Sequence, residues 1–164
     1  MPASTHTLVL GIGNTLFSDH GAGVHALRRV ERLLGRVRGV EYLDGSTLSS
    51  SLLATLAYFE RWIVLDAAQL ERIPGTIETY EGSAMDEFLG RDRRGPHETD
   101  LARLLEQARR DGALPAKRAL VAIQPDRVHP GSRTSWRVRA VLDEAAAAAI
   151  GFICHWGVEA DART

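Results

Sequence analysis

Apolar residues fall into short runs that alternate with longer stretches of helical spacing. Four short runs predict strands, at residues 7–12, 40–43, 62–65 and 119–123. The first has Gly11 as its last but one residue and, like the last run, is typical of a strand buried on both faces. Residues 76–80 follow the turn Ile73-Pro74-Gly75 and mix polar with apolar positions. They predict a fifth strand nearer an edge of the sheet.

Helical spacing separates these strands. Apolar positions recur every three or four residues from Val24 to Leu34, and Gly35 supplies a stop. Similar stretches predict helices over residues 49–59, 98–110 and 135–149. Strands that alternate with helices require crossover connections, so the chain predicts an α/β fold with a mostly parallel sheet covered on both faces.

Length and composition indicate a single domain. The chain has 164 residues, of which 45% are hydrophobic and 25% are charged, enough apolar surface for a real core. We expect a domain over residues 1–150 and a tail over 151–164, with Phe152, Ile153 and Trp156 of the tail packing on the domain. A monomer is adequate for a domain of this size.

Charge and cysteine content exclude several classes of partner. A formal net charge of -1 argues against a protein that binds nucleic acid through bulk charge. No apolar run reaches the length of a membrane span, and residues 1–6 lack the features of a signal peptide, so we expect a cytoplasmic protein without a membrane partner. Cys154 is the only cysteine, which rules out an internal disulfide and a zinc cage of cysteines.

The loop after the first strand resembles a nucleotide-binding loop only in part. Gly11 and Gly13 match a dinucleotide motif, but Leu16 stands where the third glycine belongs. Neither a phosphate-binding Gly-Lys-Ser/Thr loop nor a G-x-S-x-G nucleophile motif occurs. A nucleotide-binding oxidoreductase therefore stays a weaker alternative, supported by these two glycines and by Asp44 after the second strand.

Carboxylates and imidazoles follow the predicted strands. They are Asp19, His20, Asp44, Asp66 and, just before a later helix, His97. In a parallel sheet the strands end at one edge, where ligands of open α/β sheets bind. This mixture of ligands suits nickel, zinc or another divalent metal, and it indicates hydrolysis that is assisted by a metal or by carboxylates.

Five separated motifs resemble those of the endopeptidases that mature [NiFe] hydrogenases. In order, they are Gly11-Ile12-Gly13-Asn14-x-Leu16-x-x-Asp19-x-Gly21-x-Gly23, Asp44-Gly45-Ser46-Thr47, Val64-Leu65-Asp66-Ala67 with Pro74-Gly75-Thr76, Pro96-His97-Glu98 leading into Asp100-Leu101, and Ile123-Gln124-Pro125. The similarity covers roughly residues 8–149. It implies a three-layer α/β/α sandwich with a mostly parallel, twisted, five-stranded sheet, of the phosphorylase/hydrolase-like kind.

The resemblance also implies a function. Such an enzyme removes the C-terminal extension of the hydrogenase large-subunit precursor after nickel insertion and uses the nickel site for recognition. The nickel would come from the substrate, and another divalent metal such as zinc is a second candidate. Hydrolysis by metal-activated water and an aspartic-type pathway both stay open.

The site residues follow from the same resemblance. His20, Asp66 and His97 occupy the metal-binding positions, although an acidic residue is usual where His20 stands. Asp66, His97 and Asp19, which could compensate for His20, are the candidate catalytic residues. Asp44 matches a position linked to substrate recognition, but a turn-forming role in Asp-Gly-Ser explains it equally well.

Glycines and one amide shape the first loop. We expect Gly11, Gly13 and Gly23 to provide turns with positive φ and close backbone approaches, and Asn14 to fix the loop through side-chain hydrogen bonds. Asn14 and Gly13 are also candidates for substrate recognition.

Since His20 lacks the usual negative charge, a non-catalytic nickel-site checkpoint or chaperone of hydrogenase assembly is an alternative to the endopeptidase.

Overall fold

The computed structural model describes residues 6–46, 50–91 and 96–157, and a five-stranded sheet forms its centre. The strands are β1 (Thr7–Gly11), β2 (Val40–Asp44), β3 (Arg61–Ala67), β4 (Ile77–Glu81) and β5 (Lys117–Ile123). Their spatial order is β2-β1-β3-β5-β4. Only β4 runs antiparallel, at the edge beside β5. The mostly parallel sheet and its edge strand confirm the predictions from the sequence.

Helices cover both faces of the sheet because the strands are apolar on both sides. They are α1 (Ala22–Leu34), α2 (Ser50–Leu56), α3 (Ser83–Leu89), α4 (Pro96–Arg110), α5 (Trp136–Arg139) and α6 (Leu142–His155). Leu8 and Leu10 point into a core with α2, α3 and α4, whereas Val9 joins a second core with α1 and α6. Alternate residues of a strand thus serve two separate layers, as the period of two requires.

Two helices differ from the predictions. The stretch 83–89 forms α3, where the sequence pattern predicted no helix; Met85, Phe88 and Leu89 anchor this short helix in the core. The single helix predicted over 135–149 is wrong, because the chain breaks after Ala140 into α5 and α6. Ser135 caps α5 by accepting a hydrogen bond from the Val138 amide.

The end of the chain belongs to the fold through residue 156. Helix α6 continues past residue 150 to His155, and Ile153 and Trp156 are buried in the core that α1 and α6 share. Phe152 packs against the same core. The predicted packing of these three side chains is confirmed, but the predicted boundary after residue 150 falls inside α6, so residues 151–155 are part of that helix. In the part of the chain that is described, no helix is both long and apolar enough to cross a membrane.

Candidate functional site

Loops at the carboxyl edge of the sheet build the site. Strands β1, β2, β3 and β5 are parallel and end at this edge, and β3 lies between β1 and β5. The loops after β1 and β5 therefore flank the end of β3, which carries Asp66. This is the position where α/β folds bind ligands.

Asp66 is the buried carboxylate at the centre of this edge. It is the last but one residue of β3, pairs in register with Ala122, and has only 3% of its surface exposed. By strand alternation it shares the face of Trp62 and Val64, which α2, α3 and α4 cover. His97 is the second residue of α4, the helix that covers this same face of the sheet. The side chain of His97 lies outside the described part of the structure.

His20 and Asp19 lie in the loop that follows β1, in a 3₁₀ turn over Ser18–Gly21. His20 is half-buried, whereas Asp19 is completely buried. The Asp19 carboxylate accepts hydrogen bonds from the amides of Asp126 (2.8 Å), Arg127 (2.9 Å) and Ser135 (2.6 Å) and from the Ser135 hydroxyl (2.8 Å). These four bonds favour a positioning role over the catalytic role that the sequence suggested for Asp19.

The loops after β1 and β5 form one hydrogen-bonded unit. Besides the Asp19 contacts, the Ser18 amide donates to the Gly131 carbonyl (2.7 Å) and the Gly131 amide donates to the Leu16 carbonyl (2.8 Å). Ser18, which takes part in these hydrogen bonds between the two loops, adopts a left-handed conformation with φ 50°. The loop that carries His20 is thus fixed relative to the end of β5. The sequence did not reveal this connection, because most of its donors are backbone amides.

Asp19→Asn is expected to lower the free energy of unfolding by about 2–4 kcal/mol, since an amide NH₂ would face amide donors in place of a charged acceptor. Urea denaturation followed by circular dichroism measures the change. Ser135→Ala removes one of the four bonds and the α5 cap, so about 1 kcal/mol is expected. Asp111→Asn, at an exposed position, is the control. A loss below about 1 kcal/mol for Asp19→Asn would contradict the bracing role.

Gln124 is a buried polar residue to which the sequence motif alone gave no role. Its side chain is 4% exposed; the oxygen accepts a hydrogen bond from the Leu70 amide (2.7 Å), and the NH₂ donates to the Pro125 carbonyl (3.1 Å). Its backbone carbonyl accepts from the Gly75 amide (2.9 Å). Gln124 therefore ties the loop between β3 and β4 to the end of β5.

Two glycines set the approach of the first loop to the sheet. Gly13 has φ +132°, and a Cβ there would lie 1.9 Å from the carbonyl oxygen of His20. At Gly23 a Cβ would meet the backbone oxygen of Leu65 at 2.2 Å. The predicted positive φ is confirmed for Gly13 and is wrong for Gly11 and Gly23, which are needed for close contact.

Asn14 and Asp44 form local turns, as their alternative interpretation predicted. The Asn14 side-chain oxygen accepts from the Leu16 amide, and Asp44 accepts from the Ser46 amide, each at 2.9 Å. Asp44 is exposed at the end of β2, which β1 separates from β3. Substrate recognition by Asn14, Gly13 and Asp44 stays a prediction.

The described side chains form only part of the predicted metal site. Within residues 6–46, 50–91 and 101–157, no three His, Cys, Asp or Glu side chains form a group that could hold a metal ion. The predicted ligands are His20, Asp66 and His97, and the side chain of His97 lies outside these residues. The search therefore covers only two of the three predicted ligands. The carboxylate of Asp66 in β3 and the imidazole of His20 in the loop after β1 are donor types that nickel and zinc accept.

The fold and the candidate site define a class: α/β proteins whose candidate site residues lie at the carboxyl ends of parallel strands and on the loops that flank them. The family model for hydrogenase maturation proteases (HycI) matches residues 24–152. The chain is 35% identical over 165 residues to the hydrogenase expression/formation protein HupM of Azotobacter chroococcum, covering 98% of this chain and 78% of HupM. It is 31% identical to the hydrogenase 2 maturation protease of Escherichia coli, with 95% of both chains covered.

Solved structures agree with the sequence comparison. The hydrogenase maturating endopeptidase HybD from Escherichia coli matches with a TM-score of 0.82 and 30% identity, over 93% of this chain and 94% of HybD. A [NiFe] hydrogenase maturation protease HybD from Thermococcus kodakarensis matches with a TM-score of 0.74 and 25% identity, over 89% of this chain and 97% of that one. The chain belongs to the hydrogenase maturation protease family, which confirms the fold and the endopeptidase class that the motifs indicated.

Proposed function

We propose that this protein removes the C-terminal extension of a [NiFe] hydrogenase large-subunit precursor after nickel insertion. Family membership supports the reaction class, and the buried carboxylate of Asp66 between two braced loops is the observation that carries the assignment to this site. The nickel is treated as part of the substrate. The alternative is that the enzyme itself holds the metal, which could then be zinc.

The candidate residues are proposed to have different roles in this reaction. Asp66 and His97 are proposed to bind the substrate's nickel site and to orient or deprotonate the attacking water, as a carboxylate and an imidazole can do. His20 is proposed as the third ligand, which as a neutral imidazole adds no negative charge. Asp19 contributes through position: its four hydrogen bonds fix the backbone that presents His20.

Mass spectrometry of the purified large-subunit precursor tests this function. Nickel-loaded and nickel-free precursors are incubated with the protein, and we expect loss of a C-terminal peptide only from the nickel-loaded one. Cleavage of nickel-free precursor after addition of zinc to the enzyme would instead favour a metal held by the enzyme. An intact nickel-loaded precursor that still binds would refute the protease assignment for that pair and favour the non-catalytic checkpoint.

A further inference from the structure

Exposed apolar side chains concentrate at the edge of the sheet that carries the site. Seven large hydrophobic side chains are exposed in the described part of the chain, and five of them follow the ends of β1, β3 and β5: Leu16, Phe17, Ile73, Val128 and Trp136. The other two lie toward the opposite edge: Leu33 is in the last turn of α1, and Tyr58 follows the end of α2. Surface apolar residues scattered singly need no explanation, but a concentration beside a site indicates a contact surface.

The segments that carry these side chains support one another. Leu16 and Phe17 belong to the loop that is clasped to Gly131, and the loop with Ile73 is tied to β5 through Gln124. Gly75 packs against the backbone of Arg137, since a Cβ there would lie 2.8 Å from the Arg137 carbonyl oxygen. Hydrogen bonds and close packing thus hold the segments that carry the exposed side chains. Binding at these segments would therefore cost little ordering entropy.

The segment that carries Val128 and Trp136 is rich in exposed arginine. Residues 126–140 contain one acidic residue, Asp126, and four exposed arginines: Arg127, Arg133, Arg137 and Arg139. The Arg137 guanidinium lies over the Trp136 ring, 4.7 Å from its centre, and also pairs with Asp126 at 3.2 Å. Aromatic and arginine side chains are enriched in protein interfaces and in their binding hot spots. The complementary surface of the partner would be apolar with acidic groups around it.

We propose that these five apolar side chains and the four arginines form a docking platform for the folded large-subunit precursor. The inference rests on the proposed function, because the platform's own loops carry His20 and flank Asp66. A precursor whose cleavage site reaches Asp66 must lie over these loops. The platform would supply affinity for the protein, whereas Asp66 and its neighbours act on the cleaved segment.

Steady-state kinetics on the precursor test the platform. The double variant Val128→Ser/Trp136→Ser is expected to raise KM at least about tenfold and to change kcat less than about twofold, because loss of a hot-spot side chain weakens binding without touching the reacting groups. The matched control is Leu33→Ser/Tyr58→Ser, which removes exposed apolar side chains at the opposite edge and should leave KM unchanged. Higher ionic strength should raise the KM of the parent protein, since it screens the arginines.

The outcomes separate the two proposals. If the parent protein cleaves the precursor and the Val128→Ser/Trp136→Ser variant has an unchanged KM, the docking role is refuted and the function stands. If the parent does not cleave, the function fails and the docking role fails with it. Sedimentation adds one more outcome: a parent dimer that becomes monomeric in the variant, with KM unchanged, would assign the platform to a second copy of this chain and overturn the proposal. Thermal unfolding verifies that both double variants are folded.

Discussion

Asp66→Asn is expected to fold like the parent protein and to lose at least about 100-fold in the rate of precursor cleavage, because an amide neither carries the charge that binds a metal nor accepts a proton from water. The substitution keeps the shape of the side chain, which matters since Asp66 is buried at the end of β3. The rate is measured by mass spectrometry of nickel-loaded precursor over time, and the fold by near-ultraviolet circular dichroism.

Two comparisons make the Asp66 result specific. Asp111→Asn changes an exposed carboxylate that follows α4 and should cleave at the parent rate. Asp19→Asn should lose activity only because it is less stable. Its cleavage rate relative to the parent protein should therefore fall as the temperature rises. Cleavage by Asp66→Asn within about threefold of the parent rate would remove Asp66 from the catalytic group, since a general base contributes far more than that.

The core of the fold was readable because its physical cause is local. Strands β1, β3 and β5 lie inside the sheet and are covered on both faces, so their sequences are continuously apolar and bounded by turn residues. The edge position of β4 followed from its mixed composition after Pro74-Gly75. Helix α3 was missed because it has seven residues and one short apolar face, too little periodicity to distinguish it from a loop.

The positions of the candidate residues in the fold were predictable from the sequence, whereas their local environments were not. Asp66 was placed correctly because parallel strands end at one edge. Asp19 and His20 are adjacent in the sequence, yet their side chains have different environments: one is buried against the β5 loop and the other is half-buried. The partners of Asp19 lie more than 100 residues away, and three of its four bonds come from backbone amides. No side-chain pattern in the sequence marks such donors.

Gly23→Ala is expected to lower the free energy of unfolding by about 3 kcal/mol or more, because the added methyl group would overlap two backbone oxygens that cannot move independently. The Cβ would lie 2.2 Å from the Leu65 oxygen and 2.4 Å from the Ile12 oxygen. The Leu65 oxygen already accepts a hydrogen bond from the Ile12 amide at 2.9 Å. The start of α1 would therefore have to move away from the ends of β1 and β3.

This movement would also affect cleavage, because Gly23 is the second residue of α1, directly after the turn that holds His20. A displacement of about 1 Å in a catalytic group can reduce a rate about 100-fold, so the folded fraction of Gly23→Ala should cleave slowly even below its melting temperature.

Gly151→Ala is the matched control: this exposed glycine in α6 has nothing within 4 Å of its Cβ position, and alanine should stabilise the helix by up to about 1 kcal/mol. Urea denaturation of both variants gives the comparison. Equal stabilities would show that α1 tolerates displacement, and the close approach at Gly23 would then have no part in positioning His20.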